Sequence, residues 1–344
     1  KSTTTALIGA LVRAAGKKAF VGGNFGDPLV AWLARGEPAE VAVLELSSFQ
    51  LETAYRFSAN VALVLNVTPD HFDRYPDIES YALTKQRLIE NLGPGSVAVL
   101  NHDDVRVAAM AEHCAGRVWW FGTAVSDLEG LGVDGATLDG DTLVPHGALE
   151  SLGRVDLSHP RLIGKHNRQN ALAAWIAAAA LGVATEATRD AIHTGYLAFQ
   201  GLEHRLELVA DVGGVRFIND SKATNDDAAA VALRAMDRPV ILLAGGRGKG
   251  AGYASLVSAA QNCARVVVAF GEDRHAVARA FTGRTDVVTV GSMREAFDTA
   301  VARAVDGDAV LLAPACASFD EFANYGERGR AFKRWVNDLQ GKVA

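Results

Sequence analysis

The sequence predicts an α/β protein of two domains, each built around a mostly parallel sheet. Short β-branched runs alternate with helix-like patterns along the chain, which is typical of βαβ units. The chain has 344 residues, and a single core seldom grows beyond roughly 250 to 300 residues. A second set of alternating elements begins near Gln200 and Gly201. We therefore expect domains at residues 1–200 and 201–344.

The first domain is predicted to form a parallel sheet with a small antiparallel excursion. Residues 128–156 are rich in Gly, Asp and short apolar pairs, a pattern that favours tight turns between antiparallel strands. Before that segment the β-branched runs predict strands, and the longer amphipathic or Ala-rich runs predict helices. The predicted strands are residues 18–22, 41–46, 61–66 and 96–101, and the predicted helices are 6–15, 28–34, 78–92, 105–114 and 166–181.

The second domain is predicted to be a doubly wound sheet of the Rossmann-like kind. Its pattern opens with a hairpin around residues 212–214 and continues with strands separated by helices. These strands are predicted at residues 240–244, 266–270, 287–290 and 309–313. Ligands bind such sheets at the carboxyl ends of the strands, so polar residues that follow the strands are the candidates for a site.

Composition excludes several classes of function. The formal net charge is −6, which argues against general affinity for nucleic acid or for anionic membranes. No apolar run reaches the ~18 residues of a membrane span. The three cysteines are widely spaced, which favours a reducing cytoplasm and argues against a structural zinc site. The chain has no initiator Met or signal peptide, so we expect that an N-terminal part precedes it.

The first residues resemble the second half of a phosphate-binding loop. Lys1, Ser2 and Thr3 stand directly before an apolar helical run. In such loops the lysine meets the β- and γ-phosphates of a nucleotide, and the hydroxyl binds Mg²⁺. The alternative is a basic residue followed by hydroxyls that cap the helix.

A carboxylate and a histidine follow two predicted strands of the first domain. Glu45 ends the strand at 41–46, and Asp70, His71 and Asp73 follow the strand at 61–66. Both groups are expected at the carboxyl edge of the sheet, where carboxylates can hold Mg²⁺. A lone histidine is more often a structural hydrogen-bonding residue. Lys85 lies on the next helix and, by itself, is typical of a solvated lysine.

Polar clusters also precede the Ala-rich helix and follow the strands of the second domain. Residues 164–170 open that helix, where anions and purine or ribose groups are favoured, although simple capping by Asn167 is an alternative. Residues 245–250 contain two cations, which we interpret as a clamp for carboxylate or phosphate. Cys316 lies in a small-residue turn without an evident His partner, so packing is favoured over nucleophilic chemistry.

Six ordered blocks spread over the chain resemble the Mur ligases. Within that family the blocks at 47–51, 220–225 and 315–322 are similar to those of the D-glutamate-adding members. The resemblance implies a central P-loop ATPase-like domain, truncated at its phosphate loop, followed by a Rossmann-like domain that binds the incoming amino acid. The six blocks are residues 45–51, 66–75, 166–170, 220–225, 245–250 and 314–322.

The resemblance also implies a role for each matching residue. Lys1, Glu45, His71, Lys85 and Lys249 would be catalytic. Metal would be bound by Ser2, Glu45, His71 and a carbamylated Lys85. The nucleotide would contact Lys1, Ser2, Thr3, Asn167, Asn170, Arg205 and Asp220. The substrates would contact Asn24, Ser47, His204, Lys222, Thr224, Lys249, Ser318 and Tyr325.

The implied reaction is an ATP-dependent, ADP-forming amide ligation that requires Mg²⁺. D-glutamate would be added to UDP-N-acetylmuramoyl-L-alanine through an acyl phosphate, in peptidoglycan precursor synthesis. We expect a cytoplasmic monomer with small-molecule substrates, and little or no activity from the chain as it begins here. Two alternatives remain open: a folylpolyglutamate synthetase-like ligase, which shares the architecture, and a nucleotide-binding module without turnover. Phosphate release that depends on D-glutamate would distinguish them.

Overall fold

A computed structural model describes residues 1–72, 74–123, 132–248, 250, 252–261 and 263–343. The chain divides into two compact units: unit 1 comprises Lys1–His159 and His166–Phe199, and unit 2 comprises Pro160–Lys165 and Gln200–Ala344. The α/β fold class with mostly parallel sheets is confirmed. Among the described helices, none is both long and apolar enough to cross a membrane.

Unit 1 alternates helices and strands from its first residues. Two short 3₁₀ helices, Met110–His113 and Gly147–Leu152, interrupt this pattern. The elements are α1 (Ser2–Ala14), β1 (Ala19–Gly23), α2 (Leu29–Arg35), β2 (Val41–Glu45), α3 (Ser48–Leu51), β3 (Val61–Val64), α4 (Ile78–Glu90), β4 (Val97–Asn101), α5 (Val105–Ala109), β5 (Arg117–Gly122), β6 (Gly135–Asp139), β7 (Thr142–His146), β8 (Val155–Asp156), α6 (Lys165–Ala180) and α7 (Arg189–Leu197).

The strands of unit 1 form two sheets in the described part of the chain. β1 pairs with β2 in parallel, and the second sheet has the order β3-β4-β5-β6-β7-β8. The pairs from β3 to β6 are parallel, whereas β6, β7 and β8 pair antiparallel. The antiparallel excursion is therefore observed for residues 135–156, while residues 128–131 of its predicted range lie outside the described residues. α3, β5 and α7 were not predicted.

The helix α6 explains the Ala-rich segment of the sequence. Residues 171–178 are all buried, so this helix lies inside unit 1 with apolar side chains on every face. A helix that is apolar all round is expected in such a buried position. Its first turn carries the polar residues of the candidate nucleotide cluster.

Unit 2 opens with a hairpin and continues with alternating helices and strands. The hairpin strands pair antiparallel, with a shift in register between Phe217 and Ile218. The elements are β9 (Glu207–Val212), β10 (Val215–Asn219), α8 (Asp226–Arg234), β11 (Val240–Gly245), α9 (Ala254–Ala260), β12 (Ala264–Phe270), α10 (Arg274–Phe281), β13 (Asp286–Thr289), α11 (Met293–Arg303), β14 (Ala309–Ala315) and α12 (Tyr325–Val343).

The unit 2 sheet has the strand order β13-β12-β11-β14-β10-β9. From β11 the chain moves outward through β12 and β13 and returns in β14, which pairs with β11 on its other side. This reversal is the topological switch point of a doubly wound sheet, beside which ligands bind. The predicted doubly wound arrangement is therefore observed.

The sheet of unit 2 is covered on both faces. Val240, Leu242 and Ala244 of β11 belong to one buried cluster together with α8, α9 and α10. The intervening Ile241 and Leu243 belong to another cluster together with α11 and α12. Alternate residues of a strand point to opposite faces, so a strand buried on both faces must be apolar throughout. The uninterrupted apolar sequence of β11 follows from this position.

Candidate active site

Lys1 and Ser2 stand at the amino end of α1. Lys1 is the residue before the helix, and no side-chain capping hydrogen bond forms there, so the capping alternative is not supported. Ser2 is buried, whereas Lys1 is half exposed with its Nζ atom 4.0 Å from Glu45 Oε1. A cation and backbone N–H groups at a helix start favour an anion. The phosphate role of Lys1, Ser2 and Thr3 stays a prediction.

Glu45 is a buried carboxylate at the carboxyl end of β2, only 5% exposed. Asn24 donates a hydrogen bond of 3.1 Å from Nδ2 to Glu45 Oε1. Burial opposes ionisation, but the hydrogen bonds from Ser2 and Asn24 and the charge of Lys1 outweigh it and lower the pKa of Glu45. The other oxygen, Oε2, is buried and has no hydrogen-bond partner in the described residues. An ionised, buried oxygen without a partner fits a metal ligand.

Lys85 is a partly buried lysine on α4. Its Nζ atom donates to the carbonyl oxygen of Asn66 at 3.2 Å and lies 4.2 Å from the centre of the Tyr81 ring. Burial, and then the charge of Lys1, lower the pKa of Lys85 to about 8. The solvated-lysine alternative is therefore not supported. At neutral pH a minor fraction of this amine is unprotonated, and this is the form that reacts with CO₂.

His71 lies in the loop after β3 and has a positive φ of 57°. Its ring is 4.9 Å from the ring of Phe49 and 5.9 Å from the ring of Tyr81. Asp70 accepts a hydrogen bond of 2.9 Å from the backbone N–H of His71. The Tyr81 ring thus adjoins both His71 and Lys85. Tyr81 was not among the predicted site residues, because only the polar and charged side chains of this helix were considered as candidates.

The loop that carries His71 is tied to α3 through Glu52. The Glu52 carboxylate accepts hydrogen bonds from Arg74 Nε at 2.8 Å and from the Tyr75 hydroxyl at 2.6 Å. These hydrogen bonds lower the pKa of Glu52 to about 2. Since α3 follows β2 closely, this network links the segment after Glu45 to the segment of His71. Asp73, which belongs to the predicted cluster, lies outside the described residues.

Asn167 and Asn170 are joined in the first turns of α6. Asn170 Nδ2 donates to Asn167 Oδ1 at 3.0 Å, and the Thr4 hydroxyl donates to Asn170 Oδ1 at 3.0 Å. Asn167 lies inside the helix, which begins at Lys165, so it is not the capping residue. The network connects the start of α1 with the start of α6. Contact with adenine and ribose stays a prediction for both asparagines.

Asn24 and Ser47 have defined structural partners in unit 1. The backbone N–H of Asn24 donates to the carbonyl oxygen of Glu45 at 2.8 Å, besides its side-chain bond. Ser47 is the N-cap of α3 and forms a reciprocal capping box with Gln50. Both residues therefore flank Glu45, and their predicted contacts with substrate stay predictions.

Three of the sequence blocks of unit 2 follow neighbouring strands. β10 ends at Asn219, β14 ends at Ala315 and β11 ends at Gly245. β14 lies between the other two strands, in parallel with both. Residues 220–225, 245–250 and 314–322 therefore start from one edge of the sheet, where polar groups of all three loops can converge. The sequence predicted polar groups after each of these strands.

The candidate clamp residues lie on these loops and on α12. Lys222 Nζ donates to the Tyr325 hydroxyl at 3.3 Å and lies 5.0 Å from the centre of that ring. Ser318 is buried, and the backbone N–H of Thr224 donates to the carbonyl oxygen of Lys222 at 2.9 Å. Lys249 lies outside the described residues. The amino-acid contacts of these residues stay predictions.

His204 and Asp220 are shielded groups beside the same loops. Asn219 Nδ2 lies 2.9 Å from His204 Nδ1, and burial lowers the pKa of His204. Burial raises the pKa of Asp220 to about 7. The roles predicted for His204 with the substrate, and for Arg205 and Asp220 with the nucleotide, are untested by the structure.

Cys316 has the properties of an unreactive thiol. Its side chain is fully buried, and burial raises its pKa to about 11. The Tyr253 hydroxyl lies 3.1 Å from Cys316 Sγ. A thiol with a raised pKa is a poor nucleophile at neutral pH. These features favour the packing role over nucleophilic chemistry.

Metal ligands of the usual kinds do not form a dense cluster in the part of the chain that the structure describes. Over the described ranges, no group of three or more His, Cys, Asp or Glu residues is placed to hold a metal ion. The predicted ligand set contains only two residues of these types, Glu45 and His71, together with Ser2 and a modified Lys85. Such a site depends on the modification of Lys85 and on oxygen atoms of the nucleotide.

Comparison with protein-family models gives two matches. The Mur ligase middle domain matches residues 1–178, and the Mur ligase glutamate ligase domain matches residues 204–316. The chain is 46% identical to the UDP-N-acetylmuramoylalanine--D-glutamate ligase of Anaeromyxobacter dehalogenans, over 98% of this chain and 73% of that protein. It is 42% identical to the protein of the same name from Pelotomaculum thermopropionicum, over 99% of this chain and 73% of that protein.

Solved structures of lower identity share the fold. A UDP-N-acetylmuramoyl-L-alanyl-D-glutamate--2,6-diaminopimelate ligase superposes with a TM-score of 0.64 at 20% identity, over 99% of this chain and 77% of that chain. MurF from Acinetobacter baumannii superposes with a TM-score of 0.66 at 19% identity, over 99% of this chain and 74% of that chain. These likenesses concern the fold alone.

Proposed function

The chain belongs to the Mur ligase family, and from this we propose that it provides the nucleotide- and amino-acid-binding parts of an enzyme that adds D-glutamate to UDP-N-acetylmuramoyl-L-alanine. Enzymes of this family are ATP-dependent ligases that form carbon–nitrogen bonds. The observation that carries the choice of amino acid is the 46% identity to a D-glutamate ligase over almost the whole chain. The product is a peptidoglycan precursor.

Unit 1 is proposed to bind ATP and Mg²⁺. Lys1, Ser2 and Thr3 hold the phosphates, and Asn167 and Asn170 face the nucleoside. The unpartnered Oε2 atom of Glu45 supports a metal ligand at that position. Ser2, Glu45, His71 and carbamylated Lys85 would hold the ion. When bound, Mg²⁺ neutralises charge on the phosphates during transfer.

Carbamylation of Lys85 follows from its surroundings. The neutral amine attacks CO₂, a C–N bond forms, and the proton that the nitrogen loses passes to solvent. The product is a carboxylate-like group that no longer carries a positive charge. The pKa of Lys85 is lowered first by burial and then by the charge of Lys1, and the modification removes the repulsion between the two lysines. It also supplies oxygen atoms of the kind that Mg²⁺ prefers.

The reaction is proposed to run in two steps. The carboxylate of the L-alanyl group attacks the γ-phosphorus of ATP, with Lys1 stabilising the developing charge; the bond from that phosphorus to the bridging oxygen breaks, ADP leaves, and an acyl phosphate is formed. The ammonium group of D-glutamate then loses a proton to solvent, and the neutral amine attacks the acyl carbon. The nitrogen of the tetrahedral intermediate loses a second proton to solvent, the C–O bond to the phosphate breaks, and inorganic phosphate leaves with the amide formed.

Unit 2 is proposed to hold D-glutamate by its carboxylates. Lys222, Lys249, Thr224 and Ser318 supply the cations and hydroxyls, with a donor near Tyr325. Charge-assisted hydrogen bonds from such groups fix a dicarboxylic amino acid in one orientation. The convergence of three loops at one edge of the sheet supports this assignment. We also propose a cytoplasmic monomer, in keeping with three cysteines that form no disulfide.

Phosphate release from ATP tests the proposal. The chain would be assayed as it stands and with the segment of the Anaeromyxobacter relative that precedes its match to Lys1 joined in front. Each protein receives ATP, Mg²⁺ and UDP-N-acetylmuramoyl-L-alanine, with or without D-glutamate. The proposal expects release that requires both substrates in the joined protein. ATP binding without such release would instead support a non-catalytic nucleotide-binding module.

A further inference from the structure

Arg328 is an arginine of α12 whose side chain is completely buried. No carboxylate of the described residues lies within ion-pair distance of its guanidinium. Desolvation disfavours a buried charge, and burial lowers the pKa of Arg328 to about 10. Sequence reasoning assigned this residue no role. A buried cation without an ion pair needs strong hydrogen-bond acceptors to be tolerated.

These acceptors come from two of the candidate site loops. Arg328 Nε donates to Ser221 Oγ at 2.9 Å, and NH2 donates to the carbonyl oxygen of Ser221 at 2.9 Å. The carbonyl oxygen of Cys316 accepts from NH1 and from NH2, each at 3.1 Å. Ser221 follows β10 directly before Lys222, and Cys316 follows β14 two residues before Ser318. One guanidinium therefore joins the two loops that carry three clamp candidates.

The third loop, after β11, passes close to the same guanidinium. A Cβ atom built on Gly246 would lie 3.2 Å from Arg328 NH1 and 2.3 Å from the carbonyl oxygen of Ala317, and Gly246 has a φ of 123°. Arg247 and Ala317 exchange backbone hydrogen bonds of 2.9 and 3.0 Å. The loop that continues to Lys249 is thus fixed to the loop of Ser318, close to Arg328.

The hydroxyl of Ser221 extends the network to the start of α12. Ser221 Oγ accepts from Arg328 and donates to the carbonyl oxygen of Tyr325 at 2.8 Å. Tyr325 in turn contacts Lys222 through its hydroxyl. Four donor–acceptor pairs in a planar fork require a guanidinium, because the point charge of a lysine cannot reproduce that geometry.

We propose that Arg328 is a positioning residue for the amino-acid clamp: its guanidinium sets the spacing of the loops after β10 and β14, and so the spacing of Lys222, Thr224 and Ser318. This role rests on the proposed function. Arg328 does not contact the substrate itself. It acts through Ser221 and Cys316, whose backbone it holds.

The test compares Arg328→Lys with Arg334→Lys, an exposed arginine on the same helix. Binding of radiolabelled D-glutamate is measured by equilibrium dialysis, and binding of Mg·ATP by calorimetry. We expect Arg328→Lys to weaken D-glutamate binding about tenfold or more, the effect of losing one buried charged hydrogen bond. Mg·ATP affinity should fall less than D-glutamate affinity, because the phosphate and metal contacts are assigned to unit 1 and only Arg205 and Asp220 of the proposed nucleotide contacts lie in unit 2. Arg334→Lys should change neither.

Amide hydrogen exchange is a second measurement of the positioning role, and it does not depend on D-glutamate binding. We expect Arg328→Lys to speed exchange in residues 220–223 and 315–318 about tenfold or more, with exchange in β12 unchanged. If the unaltered chain bound no D-glutamate, the proposed function would fail. The hydrogen-exchange measurement would still test the positioning role of Arg328. Equal exchange in the two lysine variants would overturn it.

A second variant covers the case in which Arg328→Lys does not fold. Ser221→Ala removes only the hydroxyl that Arg328 Nε and the Tyr325 carbonyl share. We expect the same pattern with a smaller amplitude: weaker D-glutamate binding, faster exchange of both loops and a smaller loss of Mg·ATP binding than of D-glutamate binding. Equal weakening of D-glutamate and Mg·ATP binding would indicate a general loss of folding and would contradict a positioning role.

Discussion

Glu45 holds one oxygen atom in hydrogen bonds and leaves the other without a partner. Its lowered pKa keeps it ionised at neutral pH. We predict that Glu45→Gln weakens Mg²⁺-dependent ATP binding at least about tenfold, since even the loss of residues that support a metal ligand has effects of about 10- to 100-fold. ATP binding without Mg²⁺ should change little. Titration calorimetry at several Mg²⁺ concentrations measures both.

The matched control for this variant is Glu40→Gln. Glu40 is an exposed carboxylate at the same end of the chain, paired with Lys17 at 3.3 Å. The Glu40→Gln substitution should leave the Mg²⁺ dependence of ATP binding unchanged. Identical Mg²⁺ dependence in Glu45→Gln and in the unaltered protein would remove Glu45 from the metal site.

Lys85 should form a carbamate in a pH-dependent way. Because its pKa is lowered to about 8, the reactive neutral amine becomes the major form above that pH. We predict a carbamate signal in carbon-13 NMR with labelled bicarbonate, rising between about pH 7 and 9. The signal should be absent in Lys85→Met and present in Lys17→Met. A signal that survives in Lys85→Met would assign the modification elsewhere.

Asp220 should make the stability of the protein depend on pH. Its pKa rises from 3.8 to about 7 on folding, so between these values the folded state binds more protons than the unfolded state. The free energy of unfolding should therefore fall as pH rises from about 4 to about 7. Asp220→Asn should remove this contribution. Urea unfolding at pH 5 and pH 7.5 measures the difference.

Asp211→Asn is the control for the pH experiment. Asp211 is half exposed and pairs with Arg216. Its replacement should leave the pH dependence of unfolding as it is in the unaltered protein. If Asp220→Asn showed the same pH dependence as Asp211→Asn, Asp220 would not be the responsible group.

At the scale of elements, α12 packs one of its glycines tightly against the site. A Cβ atom on Gly329 would lie 2.2 Å from His204 Nδ1, whereas one on Gly341 would meet no atom within 4 Å. We predict that Gly329→Ala lowers the free energy of unfolding by about 1 to 3 kcal/mol through overpacking. Gly341→Ala should raise it by up to about 1 kcal/mol, because Ala favours helix.

Urea denaturation of both variants checks the opposite signs. The two substitutions are the same change in the same helix, so helix propensity cancels in their comparison. A stabilising effect of Gly329→Ala would show that His204 can move without cost. It would also contradict the close packing of α12 on the hairpin strands.

Many elements were predictable because their signals are local. The strands at 240–244 and 309–313 are uninterrupted apolar runs, and the structure extends each by no more than two residues. β5, with its aromatic run Trp119, Trp120 and Phe121, was missed although it is internal to its sheet. The separate pairing of β1 with β2 was not visible either, because strand pairing is decided by contacts between distant segments.

Site residues at the ends of strands could be predicted from the sequence. Site residues that are defined by contacts between distant parts of the chain could not. Glu45 and the loop at 220–225 follow strands, so their position at a sheet edge could be anticipated. Tyr81 and Arg328 could not be found in this way. Arg328 lies 107 positions from Ser221 in the chain, and nothing local distinguishes it from a solvated helix arginine.

At the scale of the whole molecule, the predicted membership in the Mur ligase family is confirmed by two family models and by close relatives. The two units carry different parts of the proposed chemistry. Unit 1 contains Lys1, Glu45 and Lys85 near one another, and unit 2 brings three loops to one sheet edge. Together with the identity to the D-glutamate ligases, these features support the central claim that the amino acid joined is D-glutamate.

A competition experiment tests that claim most directly. The protein joined to the relative's preceding segment receives ATP, Mg²⁺, UDP-N-acetylmuramoyl-L-alanine and an equimolar mixture of D-glutamate, isotopically labelled L-glutamate, L-lysine and meso-diaminopimelate. Mass spectrometry then identifies the amino acid that is joined to the substrate. Our account predicts incorporation of D-glutamate alone, with one ADP formed per product. Incorporation of any other amino acid, or none, would contradict it.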